Sequence, residues 1–165
     1  MITGAGRGIG HAAALLFAQE GADLALVSEV SDDIEAVAKE VRALDRVALP
    51  ITTDLRHEAQ IERLVRTALA EMGRVDVLVY SAGVAIHGEV ATLPTESWDL
   101  NFAVNVRGMF LLTRALLPQF IERRSGAIVN VASSLGKQGS AMRAAYTASK
   151  HAVVGFTKSL ALEMK

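Results

Sequence analysis

Tyr146 and Lys150, four residues apart, carry the strongest chemical signal in this chain of 165 residues. Around them the apolar positions Ala145, Ala148, Ala152, Val153, Phe156, Leu160 and Met164 recur at three- and four-residue steps, which predicts a helix. Residues four apart on a helix sit one above the other, so the phenol and the ammonium share a face. A free phenol has a pKa of about 10, too high for a general base near neutrality. An ammonium about 4 Å from a phenolate is worth on the order of 4 kcal/mol at an effective dielectric of about 20. That brings a phenol toward the range where it exchanges protons at physiological pH, with desolvation offsetting part of the gain. The same spacing also suits a packed ring beside a solvated charge, so other parts of the chain must decide.

A second signal opens the chain: Thr3-Gly4-Ala5-Gly6-Arg7-Gly8-Ile9-Gly10. Glycines here allow a tight turn and let backbone N–H groups approach a diphosphate at a helix N-terminus. A plain loop, or an S-adenosylmethionine site on the same fold, has similar composition. The place of this turn at the mouth of a helix, one helix before a strand ending near Ser28, favours a dinucleotide. No Gly-x-x-x-x-Gly-Lys-Ser/Thr phosphate loop occurs.

The elements that must position these groups alternate. Residues 9–20 read as a helix with Ile9, Ala12, Ala13, Leu16 and Phe17 on its apolar face and Gly21 as its stop. Residues 23–28 are an apolar run that suits a buried strand. Residues 32–44 return to helical spacing, with Ser31 a candidate cap. Arg46 to Thr52 reads as a strand whose Pro50 argues for an end or edge position. A helix over 57–72, a strand over 75–80, one long helix over 95–122, a strand over 127–132 and the Tyr146 helix complete the order. Apolar strands separated by amphipathic helices predict a parallel sheet covered on both faces, with right-handed crossovers making it doubly wound. Such sheets bind ligands beyond the carboxyl ends of their strands, where the winding reverses. No repeat, low-complexity tract or linker divides the chain, so residues 1–165 form one domain.

Composition narrows the function classes. Apolar residues make up 51% of the chain and charged residues 21%, with a net charge of −1, which describes an ordinary soluble globular protein. No basic cluster exceeds Arg123-Arg124, so neither nucleic acid nor an anionic membrane is an expected partner. The absence of cysteine rules out disulfides, thiolate catalysis and cysteine metal sites, and fits a reducing compartment. No apolar run approaches the roughly 20 residues of a membrane span, and no leader-like pattern opens the chain; the expected location is the cytoplasm. His11, His57, His87 and His151 are scattered, and no metal is expected.

Further motifs follow in a fixed order. Asp54-Leu55 lies after the third strand, Tyr80-Ser81-Ala82-Gly83 after the fourth, and Asn105 sits within Val104-Asn105-Val106-Arg107-Gly108. Ser133 stands 13 residues before Tyr146 and three before Gly136. Together with the glycine turn and the Tyr146–Lys150 pair, these resemble the classical subgroup of the short-chain dehydrogenase/reductase family over nearly the whole chain. The resemblance implies a Rossmann-type doubly wound α/β sheet in three layers. It implies an NAD(P)-dependent oxidoreductase interconverting a ketone and a secondary alcohol, with Asn105, Ser133, Tyr146 and Lys150 as its catalytic set. Tyr146 would exchange a proton with the substrate oxygen, and Lys150 would stabilise its phenolate and hold the nicotinamide ribose. Ser133 would hydrogen-bond the substrate carbonyl. Asn105 would position a water joining Lys150 to solvent. Gly4, Gly6, Arg7, Gly8, Ile9, Gly10, Ser28, Asp54, Leu55, Ser81, Ala82 and Gly83, together with Tyr146 and Lys150, would hold the cofactor, with Asp54 at the adenine. The helices carrying Asn105 and Tyr146 imply a homodimer or homotetramer.

Simpler roles stand beside these. Ser134 is an alternative to Ser133, Asn105 suits a buried backbone group, and Asp54 suits a cap for the helix after it. Trp98, Met109 and Phe110 read as core, while Met142 and Arg143 suit the mouth of the site. Methyl transfer on a similar fold leaves the Tyr146–Lys150 helix unexplained.

The chain departs from the family in three places. Tyr80-Ser81 replaces two asparagines that tie neighbouring strands; Ser81 can supply one such bond and Tyr80 a longer one. Ser28 stands where NAD-preferring members place aspartate, leaving room for a 2′-phosphate that Arg7 pairs with and Glu29 repels; the balance leans to NADP. The family's first strand is longer, and its fold continues through two more strands and a substrate loop. This chain is therefore expected to lack the last two strands and most of the first, with an open flank on the 127–132 strand. An inert fragment that only binds dinucleotide or oligomerises is the alternative to an active enzyme.

Overall fold

The computed structural model describes residues 1–165. Its elements run β1 (Ile2–Thr3), α1 (Gly8–Gln19), β2 (Leu24–Ser28), α2 (Ser31–Arg42), β3 (Ala48–Thr52), α3 (Glu58–Met72), β4 (Val77–Tyr80), α4 (Thr95–Phe102), α5 (Met109–Arg123), β5 (Ala127–Asn130) and α6 (Ala144–Glu163). A π-helical turn, Ala103–Gly108, joins α4 to α5, and a 3-10 turn, Ser134–Gly136, follows β5. No helix is long and apolar enough to cross a membrane.

Every strand pair is parallel, in the order β3-β2-β1-β4-β5. The shortest strand is the central one: Ile2 pairs with Leu26 and Val79, and Thr3 with Val27 and Tyr80. The winding reverses beside it, which opens a crevice at the carboxyl ends of β1, β2 and β4. Pro50 lies on the edge strand β3, opposite Leu26, with its missing N–H turned away from the only ladder. β5 forms the other edge and leaves Val129 half exposed.

Alternation along the strands builds the two covered faces. Ala25 and Val27 of β2, with Leu78 and Tyr80 of β4, pack against α3, α5 and α6 residues such as Leu64, Leu112 and Val153. Leu24 and Leu26, with Ile2 and Val79, pack against Ala14 and Ala18 of α1 and Ile34 and Val37 of α2. The result is the three-layer α/β/α sheet that alternating elements predict.

Four expectations are corrected here. The buried stripe of α1 is Gly10, Ala14 and Ala18, while Ile9 and Leu16 are each 63% exposed. The small side chains let the helix approach the turn so closely that a Cβ on Gly10 would lie 2.2 Å from the Gly4 carbonyl oxygen. Close approach, rather than apolar volume, therefore selects the face. Ser31 is the first helical residue of α2 and caps nothing; Val30 holds the N-cap position. The predicted single helix over 95–122 is broken into α4, the π-helical turn and α5. Met109 is fully buried as expected, but Trp98 and Phe110 are each 41% exposed and stand outside the core. Trp98 stacks instead on Phe102 of the same helix, with ring centroids 4.9 Å apart.

Candidate active site

The glycine turn is built by contacts that leave no room for a side chain. Gly4 has φ 62°, and a Cβ there would lie 2.9 Å from the backbone of Ala82. The Ala5 amide donates to the Val27 carbonyl (3.2 Å), and the Ala82 amide donates to Thr3 Oγ1 (3.1 Å). These bonds lock the ends of β1, β2 and β4 together around the turn. At the start of α1 the N-cap residue, Arg7, makes no side-chain cap, and the first turn contains no acidic residue. The first amides of α1 are thus open to an anion, and the helix dipole favours one.

A cleft of about 290 Å³ runs from this turn across the strand ends. Gly4, Gly6, Arg7, Ile9, Ser28, Asp54, Leu55, Ser81, Ala82 and Gly83 line it. Gly8 and Gly10 do not: a Cβ on Gly8 would meet open space, and Gly10 lies behind the turn against Gly4. Sequence reasoning missed Asp33, Thr53, Val84 and Val104 in the lining. Asp33 is the third residue of α2, with its Cβ 2.5 Å from where a Gly6 side chain would begin. Thr53 is buried and its amide donates to the Ser28 carbonyl (2.8 Å). Neither belongs to a glycine or charge motif; only their place at a strand end or helix start marked them.

Asp54 does not cap α3. That helix begins at Glu58, with His57 as an N-cap that makes no side-chain cap bond. Asp54 Oδ1 accepts from the Arg56 amide and Nε (both 2.9 Å), and Oδ2 accepts from Arg56 Nη2 (2.6 Å). The Arg56 guanidinium holds the Asp54 carboxyl below its usual range. The Asp54 amide in turn donates to Gln60 Oε1 (2.9 Å).

Tyr80 departs most from expectation. Its hydroxyl donates to the Val104 carbonyl in the π-helical turn (2.7 Å), and so ties the sheet to that turn rather than strand to strand. Burial pushes its phenol well above the ordinary value. A Cβ on Gly108 would lie 2.7 Å from both this hydroxyl and the Leu55 carbonyl oxygen, so only glycine allows the turn to press down here. The strand-tying bond expected of Ser81 is not formed; Thr3 makes the corresponding link, to Ala82.

The π-helical turn aims Asn105. Its Oδ1 accepts from the Val84 amide (2.9 Å), and its Nδ2 donates to the Val84 carbonyl and to Ser149 Oγ (both 2.9 Å). The side chain therefore does satisfy buried backbone groups. On α6, Lys150 is buried and its Nζ donates to the Val131 carbonyl (2.8 Å), 5.7 Å from the centre of the Tyr146 ring. Burial holds its pKa below the usual lysine value. Ser133 is the N-cap of the 3-10 turn, its Oγ accepting from the Leu135 amide (3.2 Å), whereas Ser134 is exposed. Met142 and Arg143 are both exposed beside Tyr146 in sequence.

Gly83 joins the two halves. It lines the cleft, and a Cβ there would lie 3.1 Å from Asn105 Oδ1 and 3.5 Å from Lys150 Nζ. The end of the cleft is therefore the place where the Tyr146–Lys150 helix and the Asn105 turn meet.

Comparison with known proteins gives a consistent result. A family model described as short chain dehydrogenase matches residues 1–165. The 3-oxoacyl-[acyl-carrier-protein] reductase FabG of Thermotoga maritima is 37% identical over 99% of this chain and 67% of its own length. The 2,3-dihydro-2,3-dihydroxybenzoate dehydrogenase of Bacillus subtilis is 39% identical over 99% of this chain and 62% of its own. The chain therefore spans about two thirds of the length of these relatives. Among solved structures, a metagenomic short-chain oxidoreductase in complex with NADP superposes with a TM-score of 0.95 at 38% identity, covering 99% of this chain and 74% of the other. The F189W actinorhodin polyketide ketoreductase with NADPH gives 0.96 at 39% identity, covering 99% and 63%.

Proposed function

The chain belongs to the short-chain dehydrogenase family, and from that premise we propose that it forms the dinucleotide-binding and proton-transfer core of an NAD(P)-dependent oxidoreductase interconverting a ketone and a secondary alcohol. The observation that carries this is the convergence at Gly83: the cleft built by the glycine turn ends where Lys150 and Asn105 meet, one helical turn from Tyr146.

The residues present fit a dinucleotide. Gly4 and Gly6 line the cleft without side chains, Gly10 lets α1 close up behind the turn, and the open amides of α1 suit a diphosphate. When bound, the nicotinamide supplies or accepts the hydride. Arg7, exposed at the turn, and Ser28, which carries no charge, suit a 2′-phosphate and support NADP over NAD. Glu29 beside them opposes it, and Asp54 is already engaged by Arg56. Solved relatives bound to NADP and NADPH favour the same choice.

Tyr146 exchanges a proton with the substrate oxygen. Lys150, one helical turn from Tyr146 with its Nζ 5.7 Å from the centre of that ring, faces the end of the cleft. Ser133 donates its hydroxyl hydrogen to the substrate carbonyl, because its oxygen is already oriented as an acceptor from Leu135. Asn105 has both side-chain ends engaged, so its role is to hold Val84 and Ser149 in place. Exposed Phe110 and Ile121 on α5 and Leu162 on α6 suit burial against a second copy of the chain, which light scattering would reveal as a dimer or tetramer.

The test is fluorescence titration with NADPH and with NADH, followed by reduction of a panel of ketones by wild type and Tyr146→Phe. Saturable binding that is tighter for NADPH, with turnover lost in Tyr146→Phe but binding kept, is the expected result. Binding without turnover would reduce the role to dinucleotide binding. Absence of both would overturn the proposal.

A further inference from the structure

Between β4 and α4 the chain forms neither helix nor strand, yet residues 84–88 are held as regularly as a strand. Val84 gives its amide to Asn105 Oδ1 and its carbonyl to Asn105 Nδ2 (both 2.9 Å). Two residues on, Ile86 repeats the pattern with Asn101, at 3.3 Å and 3.4 Å. Two further on, the Gly88 amide donates to the Met142 carbonyl (2.8 Å). The register has a simple origin. Residues four apart on a helix rise about 6 Å, and residues two apart in an extended chain span about 6.6 Å. Two asparagines at i and i+4 therefore match two successive rungs of a strand.

Both asparagines are buried, and each spends another amide N–H inside the protein, Asn101 on the Ser97 carbonyl (2.8 Å) and Asn105 on Ser149 Oγ (2.9 Å). His87, between the Ile86 and Gly88 anchors, is exposed, and its ring stands edge-on to Tyr146 with centroids 6.2 Å apart and planes at 87°. The far anchor, Met142, sits at φ 63°, a left-handed conformation that a non-glycine residue adopts only when its surroundings enforce it.

We propose that Asn101 is a positioning residue: by clamping Ile86 it makes residues 84–88 a fixed wall beside Tyr146 and sets His87 against the phenol, where it contacts the carbonyl substrate. This rests on the oxidoreductase reading above. Without the Asn101 rung the segment is held only at Val84 and Gly88, and the residue facing Tyr146 lies midway along the loosened span. Gly83 and the dinucleotide cleft stay anchored by Asn105, so the effect falls on the substrate side.

The test uses Asn101→Leu, which keeps volume without polar groups, and Asn101→Asp, which keeps the acceptor for the Ile86 amide but loses both donors. The chain has four histidines, so His87 is readily assigned in NMR spectra by comparison with His87→Gln. The expected result is that His87 loses its ring-current shift in Asn101→Leu and part of it in Asn101→Asp. The substrate KM rises by about tenfold, kcat changes less, and the NADPH dissociation constant stays within about twofold. Unchanged His87 resonances in both variants would overturn the proposal. So would equal losses of NADPH affinity, kcat and thermal stability, which would mark Asn101 as merely structural. If no variant, wild type included, turns over any ketone, the oxidoreductase reading fails, while the His87 resonances and the NADPH titration still decide whether Asn101 holds the wall.

Discussion

Replacing Tyr80 by Phe removes one oxygen atom from the centre of this molecule. The ring volume is kept, so no cavity term enters; what is lost is the donor to the Val104 carbonyl, made at 2.7 Å in a side chain only 2% exposed. A buried carbonyl left without its partner costs about 1–2 kcal/mol. For a chain of 165 residues that corresponds to a fall in Tm of about 3–6 °C. The consequence extends beyond stability, because Val104 belongs to the π-helical turn that aims Asn105 at Val84 and Ser149. Relaxation of that turn toward α-helical spacing moves Asn105 along the sequence of contacts that holds Lys150 over Gly83, so kcat falls as well. The pH dependence provides a second arm. Burial raises the folded-state pKa of Tyr80 above its unfolded value of 10.0, so the neutral phenol's contribution is fully present below that pH. It is lost progressively above it, where the unfolded chain ionises first. Thermal unfolding of wild type and Tyr80→Phe at pH 7 measures the first effect, and urea unfolding from pH 7 to 11 measures the second. A Tm unchanged within about 1 °C, or a variant whose stability falls above pH 10 as steeply as wild type, would refute the reasoning.

Gly10→Ala places a methyl 2.2 Å from the Gly4 carbonyl oxygen, a backbone-to-backbone clash that reshapes the turn; NADPH titration should show binding weakened by at least about tenfold, with a stability loss of about 1–3 kcal/mol. Gly108→Ala meets the Leu55 carbonyl oxygen and the Tyr80 hydroxyl at 2.7 Å, and thermal unfolding should show a comparable loss of stability. Asp23, Asp54 and Asp76 all have folded-state pKa values depressed, chiefly by the Val47 amide, Arg56 and Arg123 respectively. Their contribution is present above the unfolded value of 3.8 and lost as pH falls below it; Arg56→Gln should flatten this acid limb in urea unfolding.

The amino-acid sequence by itself determined the element order, the parallel three-layer sheet and the edge position of Pro50, because hydrophobic period and turn residues are local signals. It also marked the glycine turn and the Tyr146–Lys150 pair, because residue type and short spacing are local signals too. Most of the cleft lining was legible for the same reason. The tertiary structure decided what depends on approach distance. It chose Gly10, Ala14 and Ala18 as the buried stripe of α1 over the more apolar Ile9 and Leu16, since a helix pressed against a turn needs small residues more than greasy ones. It broke the helix at 103–108, where the Tyr80 hydroxyl takes a carbonyl and Gly108 gives the room, residues far apart in sequence that no periodicity connects. It brought Asp33 and Thr53 to the cleft and set Asn101 opposite Ile86. A hydrogen bond across 15 residues leaves no trace in spacing, and only the folded chain brings its two ends within reach.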